Sequence, residues 1–219
     1  AAAGIGQFAQ DNSTGLANAT GTAPVTGDYT KAGVTGVTTG NVAAINDALA
    51  SDAVKGTSAD TPAEIQAIVD AYNKVLAAAD GTDGNAAAAP TAGDYAAVGV
   101  TGTTDASAKL LSDMVDGLAA TAVDTVAELQ ALADAAKAAV DYTGAAGQTA
   151  PTAEQLNAIA GGAGVTADNL AAVQAAVAAA NADGTPVTQA ELAQIVADIT
   201  KAAAGIGQFA QDNSTGLAN

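Results

Sequence analysis

The chain repeats itself, and this repetition limits its possible folds more than any other feature. Residues 1–18, AAAGIGQFAQDNSTGLAN, return letter for letter at 202–219, so the cycle from Ala1 to Ala202 is 201 residues long. Within that cycle three related segments open with Ala-Pro, at Pro24, Pro90 and Pro151, which are 66 and 61 residues apart. Tandem segments of this size are typical of small supersecondary units that bury their apolar faces against one another.

The repeats divide the chain into a tail and three modules. We predict that residues 1–22 are the tail of a preceding module, and that 23–88, 89–149 and 150–219 form modules 1, 2 and 3. The identical ends are then equivalent junctions in a window from a longer tandem array. The alternative is an engineered duplication whose ends exchange in a closed or polymeric assembly. We expect the tail either to dock on module 1 or to fray.

A capping signal opens the last helix of every module. Thr-x-x-Glu occurs at Thr61, Thr125 and Thr188, and this pattern pairs each residue's side chain with the other's backbone amide. Apolar residues follow at helical spacing, which predicts an α-helix in each module. They are Ile65, Ile68, Val69, Tyr72, Val75 and Leu76 in module 1, Leu129, Leu132 and Val140 in module 2, and Leu192, Ile195, Val196 and Ile199 in module 3.

Two further helices are predicted in each module. The middle helices carry Val42, Ile45 and Leu49, then Leu111, Met114, Val115 and Leu118, then Leu170, Val173 and Val177, with Thr38, Thr104 and Thr166 as expected N-caps. The short first helices are anchored by Tyr29, Tyr95 and Leu156, and the first two end in Gly-Val-Thr-Gly turns at 33–36 and 99–102. The predicted fold is all-α, a tandem array of three small three-helix modules that forms an elongated rod.

The composition limits both the core and the partners. Hydrophobic residues make up 49% of the chain, which predicts a folded protein, but two Phe and four Tyr allow only thin cores. The net charge of −17 repels nucleic acid and anionic lipid, so we predict no nucleic-acid partner. No run approaches the roughly 18 apolar residues of a membrane span, so no membrane insertion is expected.

Two short motifs suggest ligands, and neither has the context that its chemistry requires. GIGQFA at 4–9 and 205–210 matches the dinucleotide fingerprint, but it follows a predicted helix instead of a strand, and Gly205 is interpreted as a helix C-cap. DGTDGN at 80–85 offers oxygen ligands but lacks the twelfth-position Glu of an EF-hand. We interpret it as a solvated turn, with a calcium loop as the open alternative, and predict no cofactor or metal.

The residues needed for common catalytic sites are scarce. The chain has no His and no Cys, which excludes a Ser-His-Asp triad, a thiolate nucleophile and a His-ligated metal. Two acidic pairs, Asp113 with Asp116 and Asp124 with Glu128, have the spacing of solvated helix faces or caps. We therefore assign no catalytic residue and predict that the chain is not an enzyme.

The two phenylalanines lie at equivalent places in the two copies of the junction. They are Phe8 and Phe209, in a junction rich in Gly, Ala and polar residues that is interpreted as a linker. Since aromatic residues are rare in this chain, our hypothesis is that this Phe fills the seam between successive modules.

The module template resembles the tandem helical repeats of giant bacterial surface proteins and adhesins. The resemblance is carried by APTAGDYAAVGVTG, TADNLAAV and DTVAELQALADAAKAAV. It implies an extracellular stalk or fibre at the cell surface, in which other domains carry ligand recognition. No binding residue transfers to this chain.

Three functions are compatible with this resemblance. The leading hypothesis is a structural spacer whose partners are the neighbouring repeats of the same chain. The second is a subunit that self-associates laterally into a filament or sheath through Ala-rich faces. The third is a helical adhesin module that binds a host protein or glycan.

Overall fold

The computed structural model describes residues 1–12, 15–82, 84, 88–162 and 164–213. The described part is all-α, which confirms the predicted fold class, and every helix predicted from the sequence is present. Its helices are α1 (Ala2–Asp11), α2 (Thr26–Lys31), α3 (Val42–Leu49), α4 (Pro62–Ala78), α5 (Ala92–Ala97), α6 (Asp105–Asp116), α7 (Val126–Asp141), α8 (Ala153–Ala160), α9 (Leu170–Ala180) and α10 (Gln189–Asn213). None of the described helices has both the length and the apolar character needed to cross a membrane.

The chain divides into two compact units, Ala1–Asp134 and Ala135–Asn219. The division falls within α7, so the first unit holds α1 to α6 and the start of α7. The second unit holds the end of α7 with α8, α9 and α10. The predicted module boundaries and the rod arrangement stay predictions.

The predicted capping boxes are present at the starts of α4, α7 and α10. At α4 the Thr61 hydroxyl accepts the Glu64 amide at 3.3 Å, and the Glu64 carboxylate accepts the Thr61 amide at 3.0 Å. The hydrogen bond from the Thr61 hydroxyl is the largest cause that lowers the pKa of Glu64. In α10 the backbone amide of Thr188 is the largest cause that lowers the pKa of Glu191. These bonds fix where the helices begin because they satisfy amides that the first turn leaves unpaired.

The predicted caps of the middle helices are correct in one module of three. Thr104 caps α6, where its hydroxyl accepts the Ser107 amide at 3.2 Å. Thr38 and Thr166 are not N-caps, and those two predictions are wrong. Asn41 and Asn169 precede α3 and α9 instead, and their side-chain oxygens accept the amides of Thr38 and Thr166, each at 2.7 Å. The asparagines close these loops, so both helices begin later than expected.

Large side chains concentrate in the core of the first unit. Tyr29, Tyr72 and Tyr95 are fully buried, and burial is the largest cause that raises the pKa of each phenol. The apolar stripe of α4 faces this core, although its last member, Leu76, is only half-buried. The two Gly-Val-Thr-Gly turns leave α2 and α5 through glycines with positive φ, 79° at Gly33 and 99° at Gly99. L-residues with a side chain are strained there, which explains the glycines.

The core of the second unit, in the part that the structure describes, consists of aliphatic side chains. Its part of α7 buries alanines, Ala135, Ala136 and Ala139, whereas the predicted stripe residue Val140 is half-buried. The alanines predicted as fillers therefore form the contact face of this segment. The remaining core consists of Leu156, Ile159, Val165, Val173, Val177, Val187, Leu192 and Val196.

The structure corrects the interpretation of the repeated segment as a linker. Gly205 is not a C-cap, because α10 continues through it to Asn213. In the N-terminal copy Gly4 likewise lies inside α1. A glycine inside a helix costs about 1 kcal/mol relative to alanine, and the alanines of Ala202–Ala204 and other helix formers around it offset that cost.

Candidate functional site: the docked junction

Residues 1–12 and 15–18 pack against the rest of the first unit, which is the docked outcome of the two predicted for the tail. Helix α1 contacts α2 and the 3-10 turn Gly56–Ser58 that follows α3. Ile5 is 1% exposed and Phe8 is 6% exposed. Phe8 is thus buried where the tail meets module 1, as the seam hypothesis expects, whereas the side chain of Phe209 lies outside the described residues.

Two glycines let α1 approach the chain after α3 closely. A Cβ atom added to Gly6 would lie 2.9 Å from the Cα of Asp60 and 3.0 Å from the carbonyl oxygen of Ala59. A Cβ atom added to Gly56 would lie 2.8 Å from the carbonyl oxygen of Gly6 and 2.6 Å from the Cβ of Gln10. The 2.9 Å distance to the Asp60 Cα and the 2.8 Å distance to the Gly6 carbonyl oxygen are both shorter than real Cβ contacts, so the backbones meet this closely because both residues are glycine.

Asn12 ends α1 and orients the chain that follows it. Its side-chain amide donates to the carbonyl of Phe8 at 2.7 Å, and its side-chain oxygen accepts the amide of Thr20 at 2.6 Å. Asn12 is 4% exposed and extended, with φ −126° and ψ 133°. It therefore satisfies a carbonyl at the helix end and joins that end to the segment that leads into module 1.

Asp47 on α3 joins three segments of the first unit. One carboxylate oxygen accepts the amide of Leu16 at 2.9 Å, and the other accepts the amide of Val126 at 2.7 Å. Beside this contact the amide of Gly15 donates to the carbonyl of Ala50 at 2.8 Å. A nearly buried carboxylate thus holds the tail against module 1 and module 1 against the first turn of α7. We name Asp47, Ala50, Gly56, Ala59 and Asp60 the junction surface.

Negative charge gathers where α7 begins. Burial is the largest cause that raises the pKa of Asp124, and repulsion from Glu128 and Asp47 adds to it. The phenol of Tyr72 donates to the carbonyl of Val123 at 3.2 Å, and its pKa is raised by burial and then by the same carboxylates. A cavity of about 390 Å³ lies beside Asp47, but both oxygens of this carboxylate already accept backbone amides. Asp47 therefore holds the backbone at Leu16 and Val126 in place, and it has little remaining capacity to bind a ligand.

A side chain of the middle helix holds the opening proline in each module. Asn46, Ser112 and Gln174 each donate to the proline carbonyl, that of Pro24, Pro90 or Pro151, at 2.8, 2.7 and 2.8 Å. Two tyrosines complete the arrangement, because the Tyr29 phenol donates to Asn46 at 2.5 Å and that of Tyr95 pairs with Ser112 at 3.1 Å. Leu156 stands at the equivalent place in module 3 and has no polar atom on its side chain.

A glutamine of the last helix holds the turn after the first helix. In module 1 the Gln66 side chain accepts the amide of Thr35 at 2.8 Å and donates to its carbonyl at 3.1 Å. Gln130 makes the same two contacts with Thr101 in module 2, also at 2.8 and 3.1 Å. Modules 1 and 2 thus share this pair of side-chain contacts as well as the order of their helices.

Helix α4 contacts both its own module and the following one. It packs against α3 and also against α5 and α6. Lys74 on α4 pairs with Asp94 on α5 at 2.7 Å, and both side chains are half-buried. Burial alone raises the pKa of Asp94, but hydrogen bonds from Lys74 and Thr91 outweigh it, so the net pKa is lowered. The end of α4 is therefore a junction element like α1.

The second unit also holds the end of a last helix by side-chain contacts. The Asn181 side chain donates to the carbonyls of Ala139 and Tyr142, both at 2.8 Å, and accepts the amide of Val187 at 2.8 Å. Asn181 is 6% exposed, and its bonds to Ala139 and Val187 are buried, whereas the bond to Tyr142 is partly buried. The end of α7 is thereby fixed to the segment between α9 and α10.

The acidic residues singled out in the sequence have different surroundings. Asp113 is half-buried, but Asp116 is only 5% exposed and accepts the amide of Gly84 at 2.5 Å. The prediction of a solvated carboxylate is therefore wrong for Asp116, because it holds the chain after α4. In the calcium-loop alternative, Asp83 and Asn85 lie outside the described residues, and Asp80 accepts the Thr82 amide at 2.8 Å.

The structure and the comparisons add two findings about ligands and relatives. No group of three or more His, Cys, Asp or Glu that could hold a metal ion occurs in the described part of the chain. No protein-family model matches the sequence, and no similar curated protein or solved structure was found.

The sequence analysis does not identify Asp47, Asn46 or Asn181 as structurally important. For Asn46 a signal exists, because Asn46 and Ser112 each lie 22 residues after the proline that they hold.

Proposed function

We propose that the chain is a structural repeat segment of an extracellular bacterial surface protein, where it acts as a spacer or fibre building block. In this proposal the three-helix modules stack into an elongated rod that holds other domains away from the cell. The observation that carries the proposal is the reuse of backbone-holding contacts in successive modules, above all the Gln66–Thr35 and Gln130–Thr101 pairs.

Contacts between successive modules also support a spacer. The Tyr72–Val123 and Asp47–Val126 hydrogen bonds and the Lys74–Asp94 ion pair all join module 1 to module 2. In a repeat array each such interface adds to stability, so the array resists unfolding more than its isolated modules do. This is the property that a stalk needs, because a flexible linker would let the distal domain fall back toward the surface.

The charge of the chain supports exposure outside the cell and a role without nucleic acid. With 23 acidic residues against six basic ones, neighbouring stalks and anionic cell envelopes would repel the chain. Repulsion of this kind favours an extended array that projects into solution.

The proposed location outside the cell is tested by protease treatment or antibody labelling of intact source cells. Protection of the chain in intact cells would contradict this location.

The spacer function is tested by measuring length against copy number. Chains with one, two and three copies of the 201-residue repeat are compared by small-angle X-ray scattering. A spacer predicts that the maximum dimension grows linearly with copy number while the cross-section stays constant. Growth with the square root of copy number, as for flexibly linked beads, would contradict the proposal.

One observation favours a filament subunit as the second candidate. Ile206 on α10 is 71% exposed, and among the described residues the other exposed large apolar side chain is Val25 at 58%. Negative-stain microscopy of the single-repeat chain across a range of concentrations separates the two candidates. Separate particles at every concentration support the spacer, and ordered filaments or sheets support the subunit.

A further inference from the structure

We propose that residues 202–212 dock on the junction surface of the next copy of the repeat, as residues 1–11 dock on it in this chain. Helix α10 is then one helix shared by two successive repeats. The proposal deepens the proposed function, on which it rests for the tandem order of the repeats, and it names the partner of the C-terminal segment as a second copy of the same sequence.

Sequence identity supplies the first argument. Residues 202–212 carry the same side chains in the same order as residues 1–11. The junction surface therefore offers this segment the contacts that it offers α1, including the close approach at Gly6, and docking in this way leaves Ile5 only 1% exposed. A partner is thus specified by contacts already formed in the first unit.

The state of the C-terminal copy supplies the second argument. Its residues from Ala202 to Ile206 are exposed, and Ile206 is 71% exposed where its equivalent Ile5 is 1% exposed. The segment is already helical, because α10 runs from Gln189 to Asn213. Docking a preformed helix needs less ordering of the backbone than folding a disordered tail, so less binding free energy is lost.

The behaviour of α4 supplies the third argument. Within this chain α4 packs on α3 of its own module and on α5 of the next, and the Lys74–Asp94 pair lies at the second contact. A last helix that serves two modules is therefore already part of this architecture. Helix α10 is longer than α4, 25 residues against 17, and can supply a C-terminal half for the following repeat.

The glycines make the docking specific for this segment. Any residue other than glycine at the position of Gly6 would bring its Cβ within 2.9 Å of the Asp60 backbone. The same restriction holds for Gly56 on the junction surface, whose Cβ would meet the carbonyl of Gly6. Unrelated amphipathic helices are rejected by this contact, whereas each copy of the repeat satisfies it.

In a single-repeat chain the junction surface is already occupied by that chain's own α1. An intramolecular segment acts at an effective concentration in the millimolar range, so a second chain at micromolar concentration does not displace it. We therefore commit to the covalently following repeat as the partner. Sedimentation of the single-repeat chain should show a monomer, and concentration-dependent assembly would overturn this assignment.

The test uses the absence of cysteine from the sequence to place one thiol at a time. In a two-repeat chain, residues 1–201 are followed directly by residues 1–219, so the central copy of the segment is both the end of one repeat and the start of the next. One cysteine replaces the isoleucine of this central copy. Its rate of reaction with a disulfide reagent is compared with those of I5C and I206C in the single-repeat chain.

We expect the central thiol and the I5C thiol to react about tenfold or more slowly than the I206C thiol, because a buried thiol reacts only after local opening. A central thiol as fast as the I206C thiol would overturn the proposal. Circular dichroism melting of each variant checks that it is folded.

A second variant tests the surface itself. G56L in the second repeat alone fills the space that Gln10 and the Gly6 carbonyl occupy, so the central thiol should become as fast as the I206C thiol. A thiol that stays slow in this variant would mean that another surface protects it. The scattering series separates the two proposals. If the maximum dimension grows linearly with copy number but the central thiol reacts fast, the spacer stands and the shared helix is wrong.

If the central thiol reacts slowly but the maximum dimension does not grow linearly, the shared helix stands and the spacer is wrong.

Discussion

The two copies of the eighteen-residue segment have the same sequence and different surroundings. Both are helical at equivalent residues, α1 over Ala2–Asp11 and α10 through to Asn213. In the first copy Ile5 is buried and Asn12 ends the helix in an extended conformation, whereas in the second Ile206 is 71% exposed and the helix includes the equivalent Asn213. Local sequence therefore determines the helix, and the contacts of the docked copy, among them that of Asn12 with Thr20, determine where the helix ends and what it buries.

Because the two copies have the same sequence, they have the same helix propensity and differ only in packing. Burying an isoleucine side chain contributes about 1.5–3 kcal/mol, so the docked copy contributes free energy that the other copy does not. Variants at matched positions in the two copies should then differ in effect by the contribution of the junction surface alone.

The largest difference is expected at the isoleucines. I5A should lower the free energy of unfolding of the first unit by about 3 kcal/mol, through lost burial and the cavity left behind. I206A should change stability by less than about 0.5 kcal/mol, because the side chain is already in water. Urea unfolding followed by circular dichroism measures both, and equal losses would contradict the docked and undocked assignment.

The next largest effect is expected at Asp47. D47N replaces one of the two acceptor oxygens by a donor, so either the Leu16 or the Val126 amide faces an NH2 group, at a cost of about 2 kcal/mol. The control is D52N, because the Asp52 side chain is 85% exposed and pairs only with an exposed lysine, so the loss of its charge should leave stability nearly unchanged. A D47N variant as stable as D52N would show that the carboxylate does not hold the tail.

Two glycines of α1 provide a matched pair within the docked copy. G6A should destabilise the first unit by about 1–2 kcal/mol, because its Cβ would meet backbone atoms of Ala59 and Asp60. G4A meets no atom within 4 Å and should leave stability unchanged or raise it slightly. Thermal melting compares the two variants, and a G6A variant as stable as G4A would contradict the close approach.

Much of the fold could be predicted because its signals are local. Capping boxes such as Thr61 with Glu64, and the apolar stripe from Ile65 to Val75, depend on residues within a few positions of one another. The caps Thr38 and Thr166 were mispredicted because an asparagine three residues later competes for the same loop. Local propensity does not decide between two residues that can both cap or close a turn.

The junction could not be predicted in the same way because its contacts join distant residues. Asp47 contacts Val126, and Gly6 contacts Asp60, and no periodic pattern connects either pair. The interpretation of Gly205 as a C-cap is wrong for a different reason. A glycine often marks a helix end, but it does not end the helix where helix-forming residues on both sides offset its cost. The identity of residues 1–18 and 202–219 was visible, but only the structure shows that one copy is docked.

The smallest expected effect lies at Gly205, where docking plays no part. A Cβ there, as at the equivalent Gly4, meets nothing within 4 Å, so only helix propensity changes. Because Gly205 is inside α10 whereas Gly4 is in the first turn of α1, G205A should stabilise its helix by about 0.8 kcal/mol and G4A by less. Amide exchange by NMR, with the two copies assigned separately, should slow about fourfold around residue 205, because about 1.4 kcal/mol corresponds to a factor of ten. A loss of helix in G205A would mean that the C-terminal copy is held by contacts at this position, and the contrast between the two copies would then have to be abandoned.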